Sequence, residues 1–245
     1  MAAHKREIEI AVGGQRIGGT VLTPETKVPG LLFVHGWGGS QEQDMMRAGS
    51  IAALGCVCLT FDMRGHASTE EQQQTVTREE NLADVLAAYD MLAGQPSVEH
   101  GEIAVIGSSY GAYLAAILTS LRPVRWLALR VPALYRDEQW ETPKWALDRE
   151  DLDAYRHSLV SSSENRALAA CTKFLGDVLL VESEHDDRIP HQTVLNYRRA
   201  FSNVRSLTYR MIGGADHALS DETCRNAYGS LLTGWITEMI LGARS

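Results

Sequence analysis

A chain of 245 residues with 23 Lys and Arg against 31 Asp and Glu carries a formal net charge of −8, which argues against nucleic acid or an anionic membrane surface as its main partner. With 44% hydrophobic and 22% charged residues and no low-complexity tract, it can bury about 70–75% of its unfolded surface around a single core. Its four cysteines are too few and too scattered for a disulfide framework, no metal-ligand spacing surrounds them, and no apolar run has the length of a secretory signal or membrane span. One cytoplasmic domain over 1–245 is the expectation.

In chain order, Glu7 to Val12 and Arg16 to Thr23 flank Gly13-Gly14, a strand pair joined by a two-residue turn. Leu31 to Val34 is a continuous apolar run of the kind buried on both faces of a parallel sheet, and it ends in His35-Gly36-Trp37-Gly38-Gly39. Ser40-x-x-Gln43 predicts a capped helix to about Leu54, with Gly55 at its end. Cys56 to Phe61 reads as a strand carrying two core thiols, Cys56 and Cys58, on one face; it leads into Asp62-Met63-Arg64-Gly65-His66. Thr77-x-x-Glu80 opens a second helix with Leu82, Val85, Leu86, Tyr89 and Leu92 at helical spacing, closed by Gly94 and Pro96.

Ile103 to Ile106 is a short buried strand that stops at Gly107, and a helical pattern of small and apolar residues follows Gly111. Strands are also predicted over Trp126–Val131, Asp177–Val181 and Ser206–Ile212, and helices over His191–Phe201 and from about Asp221 to Leu241. Residues 132–176 are too many for a plain connection. They carry Tyr135, Trp140, Trp145 and Tyr155 and two short helices, one near Leu152–Leu159 and one opened by Ser161-x-x-Glu164. This segment is a candidate lid; the competing reading is an insertion that only covers the sheet. A hairpin followed by repeated strand–helix units predicts an α/β fold, a mostly parallel sheet of about eight strands with helices on both faces.

Chemistry in such a sheet gathers at the carboxyl ends of its strands. There stand His35-Gly36-Trp37, Asp62, Ser109 within Gly107-Ser108-Ser109-Tyr110-Gly111, Asp186 or Asp187, and His217. G-x-S-x-G between a strand and a helix describes a strained turn that lifts a serine hydroxyl above the sheet. The following helix directs its N-terminal N–H groups to where an oxyanion would form. A serine needs an imidazole to take its proton and a carboxylate to orient that imidazole. An Asp stands 77 residues after Ser109 and a His 31 beyond it, the order Ser, Asp, His.

These pieces together resemble an α/β-hydrolase over nearly the whole chain. His35-Gly36-Trp37-Gly38-Gly39 is similar to the family pattern H-G-x-x-G, Asp62 to His66 to D-x-R-G-H, Asp186 to Pro190 to the acid loop D-x-x-[VI]-P, and Gly214 to His217 to G-x-x-H. The Ser-Tyr-Gly elbow resembles dienelactone-type and acyl-peptide-cleaving hydrolases. The resemblance implies Ser109 as nucleophile, His217 as general base and then acid, and Asp186 as orienting acid, four residues before Pro190 like the family's. It implies backbone N–H groups of Trp37 and Tyr110 as the oxyanion hole. Ala112 and Ala67 depart from the family, which often has glycine at both places.

The resemblance also assigns His35 and His66 to loop shape. His185 lies on the wrong loop for a base, and His4, His100, His157 and His191 are expected to be solvated or terminal. Adjacency counts against Asp216 as orienter of His217; Ser108 and Ser183 are expected to be hydrogen-bonded loop serines, and Asp62 and Arg64 to pair. The expected activity is hydrolysis of a small ester through an acyl-enzyme, with neither metal nor cofactor required. The partner is then a small-molecule ester, not nucleic acid or membrane, and the oligomeric state is left open. Amide, peptide or thioester hydrolysis with the same triad is the alternative. A silent ligand-binding homologue is a further one, although no triad residue is missing.

Overall fold

The computed structural model describes residues 4–23 and 28–244. Eight strands form one sheet in the order β1-β2-β4-β3-β5-β6-β7-β8. The antiparallel hairpin β1 (His4–Val12) and β2 (Gln15–Thr23) turns through Gly13-Gly14, and β2 runs antiparallel to β4 (Val57–Phe61). From β4 onward every pairing is parallel, through β3 (Val28–Val34), β5 (Val98–Ser108), β6 (Trp126–Arg130), β7 (Asp177–His185) and β8 (Ser206–Asp216).

The apolar runs explain why the sheet is covered twice. Side chains alternate between faces along a strand, so Leu31, Phe33, Cys58, Ala104 and Ile106 pack on one side, where α1 (Glu42–Ala52) and α7 (Glu222–Arg244) lie. Leu32, Val34, Leu59, Ile103 and Val105 pack on the other. There α2 (Arg78–Ala93), α3 (Tyr110–Leu118), α4 (Arg149–His157), α5 (Arg166–Lys173) and α6 (His191–Ala200) complete the core. The side chains of Cys56 and Cys58 are buried in the first of these layers. No helix among the described residues is long and apolar enough to cross a membrane.

Two local expectations are corrected. The Thr77–Glu80 box forms at α2, but the Ser40–Gln43 box does not: α1 starts after Gln41 with no side-chain cap. Gln41 is instead held by Asp62, whose carboxylate accepts its backbone N–H and its Nε2, each at 2.8 Å. Ser161 and Glu164 do bond to each other, at 3.0 Å, but within a turn. The helix begins at Asn165, whose side chain accepts from Ala167 and Leu168 and donates to the Tyr135 carbonyl at 2.8 Å. Between β6 and β7 the chain makes short 3-10 turns at Asp137–Gln139 and Lys144–Ala146, then α4 and α5.

Candidate active site

Gly107, Ser109 and Gly111 build the turn between β5 and α3. A Cβ on Gly107 would lie 2.6 Å from Ala112 Cα, and one on Gly111 would lie 2.2 Å from the Val34 carbonyl oxygen. Only glycine lets the elbow pass that close to β3. Ser109 itself sits at φ 52°, ψ −112°, a conformation that costs about 1–3 kcal/mol and persists only where neighbours impose it. They do so here: its N–H donates to the Arg130 carbonyl at 2.9 Å, and its own carbonyl accepts from Tyr113 at 3.1 Å and Ala133 at 3.0 Å.

The loops after β7 and β8 bring Asp186 and His217 together. His217 Nδ1 lies 2.9 Å from Asp186 Oδ1 and 2.8 Å from Oδ2. Oδ1 also accepts the backbone N–H groups of Arg188 and Ile189 at 2.9 and 2.8 Å. Burial pushes the Asp186 pKa up, but the His217 bond and charge and those two N–H groups outweigh it, so the carboxyl sits below the usual range. With Nδ1 bound to an ionised carboxylate, Nε2 remains for the cavity that His217 and Ser109 both line. Asp187 is exposed, and Asp216 turns instead to the Ser220 N–H at 2.8 Å.

The strip after β3 lies against the elbow. A Cβ on Gly36 would come within 3.4 Å of Ser109 Cβ, so the backbone of this strip closes directly on the serine. Buried His35 accepts the Met63 N–H at Nε2, 3.1 Å away, which leaves Nδ1 protonated toward the Gly36 carbonyl at 2.8 Å. Burial lowers its pKa. Burial and His35 bring His66 down to about 4; its Nδ1 contacts the Arg64 carbonyl at 3.1 Å and its Nε2 has no partner. Rings of Trp37, His66 and His35 meet edge to face, and Trp37 meets Tyr110 the same way at 5.4 Å. Tyr110 is the first residue of α3, where a backbone N–H has no intrahelical acceptor. Its hydroxyl donates to Asn81 Oδ1 at 3.0 Å.

Asp62 and Arg64 do not pair with each other, because their side chains diverge: Asp62 holds Gln41 and Arg64 Nε meets Asp84 Oδ1 at 2.6 Å. Ser183 lies inside β7 and its buried hydroxyl has no partner, whereas Ser108 Oγ stands 3.4 Å from Arg130 Nε. His157 is exposed beside Asp153, and His191 Nδ1 lies 2.7 Å from the buried Glu182 carboxylate. The side chains of His4 and His100 lie outside the described residues.

The cavity beside Ser109 and His217 measures about 340 Å³, and Arg47, Arg130, Arg188 and Arg225 line it with one carboxylate, Asp44. Arg130 donates to the His217 carbonyl at 2.9 Å and so ties β6 to the histidine loop. None of these arginines was among the sequence-predicted site residues. Arg130 had a readable signal, a charge at the carboxyl end of the apolar run Trp126-Leu127-Ala128-Leu129; the others reach the cavity from a helix face or a loop and gave none. Lys144 was also missed. Its Nζ lies 4.3 Å above the Trp37 ring, and burial together with Arg156, Arg188, Arg149 and Arg78 brings its pKa down to about 7.

A doubly covered parallel sheet with an antiparallel leading hairpin, a glycine-framed serine elbow after β5 and a histidine loop after β8 defines an α/β-hydrolase. Residues 42–242 match the model of the prolyl oligopeptidase family (Peptidase_S9), and the chain belongs to that family of serine hydrolases. The strip His35–Gly39 lies upstream of the matched residues. Two uncharacterized proteins of Mycobacterium tuberculosis are each 34% identical over 122 residues, 49% of this chain and 42% of theirs, so the match spans under half the length of these relatives. Among solved structures, dienelactone hydrolase from Anabaena variabilis superposes with a TM-score of 0.72 at 17% identity, covering 97% of this chain and 99% of that one. Est1E from Butyrivibrio proteoclasticus with ferulic acid bound gives 0.73 at 16%, over 96% and 99%. Acylaminoacyl peptidase from Pyrococcus horikoshii gives 0.73 at 17%, over 98% of this chain and 42% of that one. At these identities the likeness is one of fold.

Proposed function

We propose that this serine hydrolase cleaves small carboxylic esters through an acyl-enzyme on Ser109, with His217 and Asp186 completing a triad. The observation that carries the reading is the doubly contacted His217–Asp186 pair, whose histidine lines one cavity with a serine held at φ 52°. Ser109 Oγ attacks the acyl carbonyl while His217 Nε2 takes its proton and then delivers it to the departing alcohol. Ionised Asp186 holds the ring in the required tautomer and stabilises the imidazolium. The N–H groups of Trp37 and Tyr110 receive the oxyanion, each such donor being worth about 2.7–4 kcal/mol of barrier. Water activated by His217 then releases the acid. Residues 137–146 reach the edge of the site through Lys144, which lies over the Trp37 ring, while α4 and α5 contribute to the core.

The test is labelling and turnover on purified protein. Wild type is expected to react with a fluorophosphonate at Ser109 and to hydrolyse short p-nitrophenyl esters; Ser109→Ala is expected to do neither while keeping its thermal unfolding transition. Turnover retained by that variant would place the nucleophile elsewhere. The family match supports amide hydrolysis as a second reading. Faster cleavage of an N-acyl-aminoacyl p-nitroanilide than of the matching p-nitrophenyl ester would establish it instead.

A further inference from the structure

Two cations beside the Ser109 cavity have no acceptor of their own. Arg188, on the loop that carries Asp186, lines the cavity. Its backbone is engaged, the N–H by Asp186 and the carbonyl by Arg156, but its guanidinium makes no hydrogen bond or ion pair among the described residues. Lys144 rests on the Trp37 ring, with Tyr110 and Tyr135 at 5.8 and 6.0 Å, and among the described residues its amine has no oxygen partner. The remaining cations there are occupied: Arg47 by Asp44 at 2.8 Å, Arg130 by the His217 carbonyl, Arg225 by the Leu219 and Ser220 carbonyls.

In a chain of net charge −8 such a gathering is not forced by composition. Arg188 and Arg149 are exposed, but Lys144 is half-buried, and the like charges around it raise its energy. The charges that act most on Lys144 are Arg149 and Arg156 of α4, Arg188 of the β7 loop and Arg78 of α2; His66 and the rings of Trp37, Tyr110 and Tyr135 complete its surroundings. A bound anion would relieve the repulsion, and the amine would take up a proton as it bound.

We propose that Lys144 and Arg188 form an anion subsite at the rim of the Ser109 cavity, so that the ester turned over carries a carboxylate in its acyl or alcohol part. The word ester rests on the function proposed above; the subsite rests on the cations alone. Trp37 and Arg188 line the cavity with Ser109, Lys144 lies over the Trp37 ring, and the Trp37 N–H is assigned to the oxyanion. A carboxylate anchored there therefore also positions the carbonyl to be attacked.

Glutarate binding to the Ser109→Ala protein, followed by calorimetry, tests the subsite without turnover. Saturable binding is expected that weakens with added NaCl, weakens as pH rises past about 7, and drops about tenfold or more in Lys144→Met and in Arg188→Gln. Dimethyl glutarate is expected not to bind. With wild type, kcat/KM for p-nitrophenyl hemiglutarate should exceed that for p-nitrophenyl valerate about tenfold, or that for 4-acetoxybenzoate should exceed phenyl acetate by as much. The difference should lie in KM, and the ratio should collapse in both variants. Absence of glutarate binding, or binding indifferent to both substitutions, overturns the subsite whatever Ser109 does. Glutarate binding with these dependences, in a protein that neither labels at Ser109 nor cleaves any ester, upholds the subsite and removes the hydrolase reading.

Discussion

At the scale of single residues, the choice between two adjacent carboxylates has a sharp consequence. Asp186 holds His217 and two backbone N–H groups, whereas Asp187 is exposed. Asp186→Asn is expected to lower kcat by about a thousandfold or more, because an amide cannot fix the tautomer or offset the imidazolium; Asp187→Asn should change it less than about twofold. Ester kinetics on both variants check this, and equal effects would remove Asp186 from its role. Ala67 offers a stability test. It is exposed and sits at φ 48°, so Ala67→Gly relieves left-handed strain, part of which is offset by a freer unfolded chain. A net gain of about 0.5 kcal/mol, or a Tm rise of about 1–2 °C, is expected in thermal unfolding. Sequence alone made Gly107, Ser109 and Gly111 legible because their requirement is local and steric. It misplaced the partners of Asp62 and Arg64, because those depend on which distant element arrives: Arg64 finds Asp84, twenty positions on and on a helix.

At the scale of elements, one pattern had two outcomes. Thr77-x-x-Glu80 caps α2, while Ser161-x-x-Glu164 makes its bond in an exposed turn and yields the helix start to Asn165. Asn165 wins because it is buried and bonded to Tyr135 and Tyr155, a tertiary reason that spacing does not carry. Periodicity located every strand, since apolar runs bounded by glycine and charge are strong signals; it shortened β7 and β8, whose polar ends continue past the apolar stretch. The segment between β6 and β7 is pinned from outside itself. Fully buried Arg78 of α2 donates to the Arg136 carbonyl at 3.0 Å and to the Gln139 carbonyl, and lies 5.3 and 5.8 Å from the Tyr135 and Trp140 rings. Arg78→Met strands both carbonyls and is expected to cost about 2 kcal/mol. Hydrogen exchange should quicken over residues 136–146 ahead of the rest of the chain; uniform acceleration would mean that Arg78 supports the whole fold and not this segment.

At the scale of the whole molecule, two buried imidazoles in contact make the fold sensitive to acid. His66 has a folded pKa of about 4 against an ordinary value of 6.5, and His35 is lowered too. The folded state therefore resists a proton that the unfolded chain accepts. The stability this represents is complete above pH 6.5 and falls as pH drops toward about 4, by about 3 kcal/mol for His66. Asp186, lowered below 3.8, loses its contribution only at still lower pH. Urea unfolding at pH 7 and at pH 4.5 should show this loss, and His66→Phe should flatten the slope between them.

Ser109 is clamped from both sides by the end of β6 and the stretch just after it, through the Arg130 carbonyl and the Ala133 N–H. Ser109 and the segment between β6 and β7 thus share one joint. Anyone grafting a different loop between β6 and β7 must start the transplant downstream of Leu134, since a swap reaching back to Val131 would disturb the contacts that hold Ser109 at φ 52°.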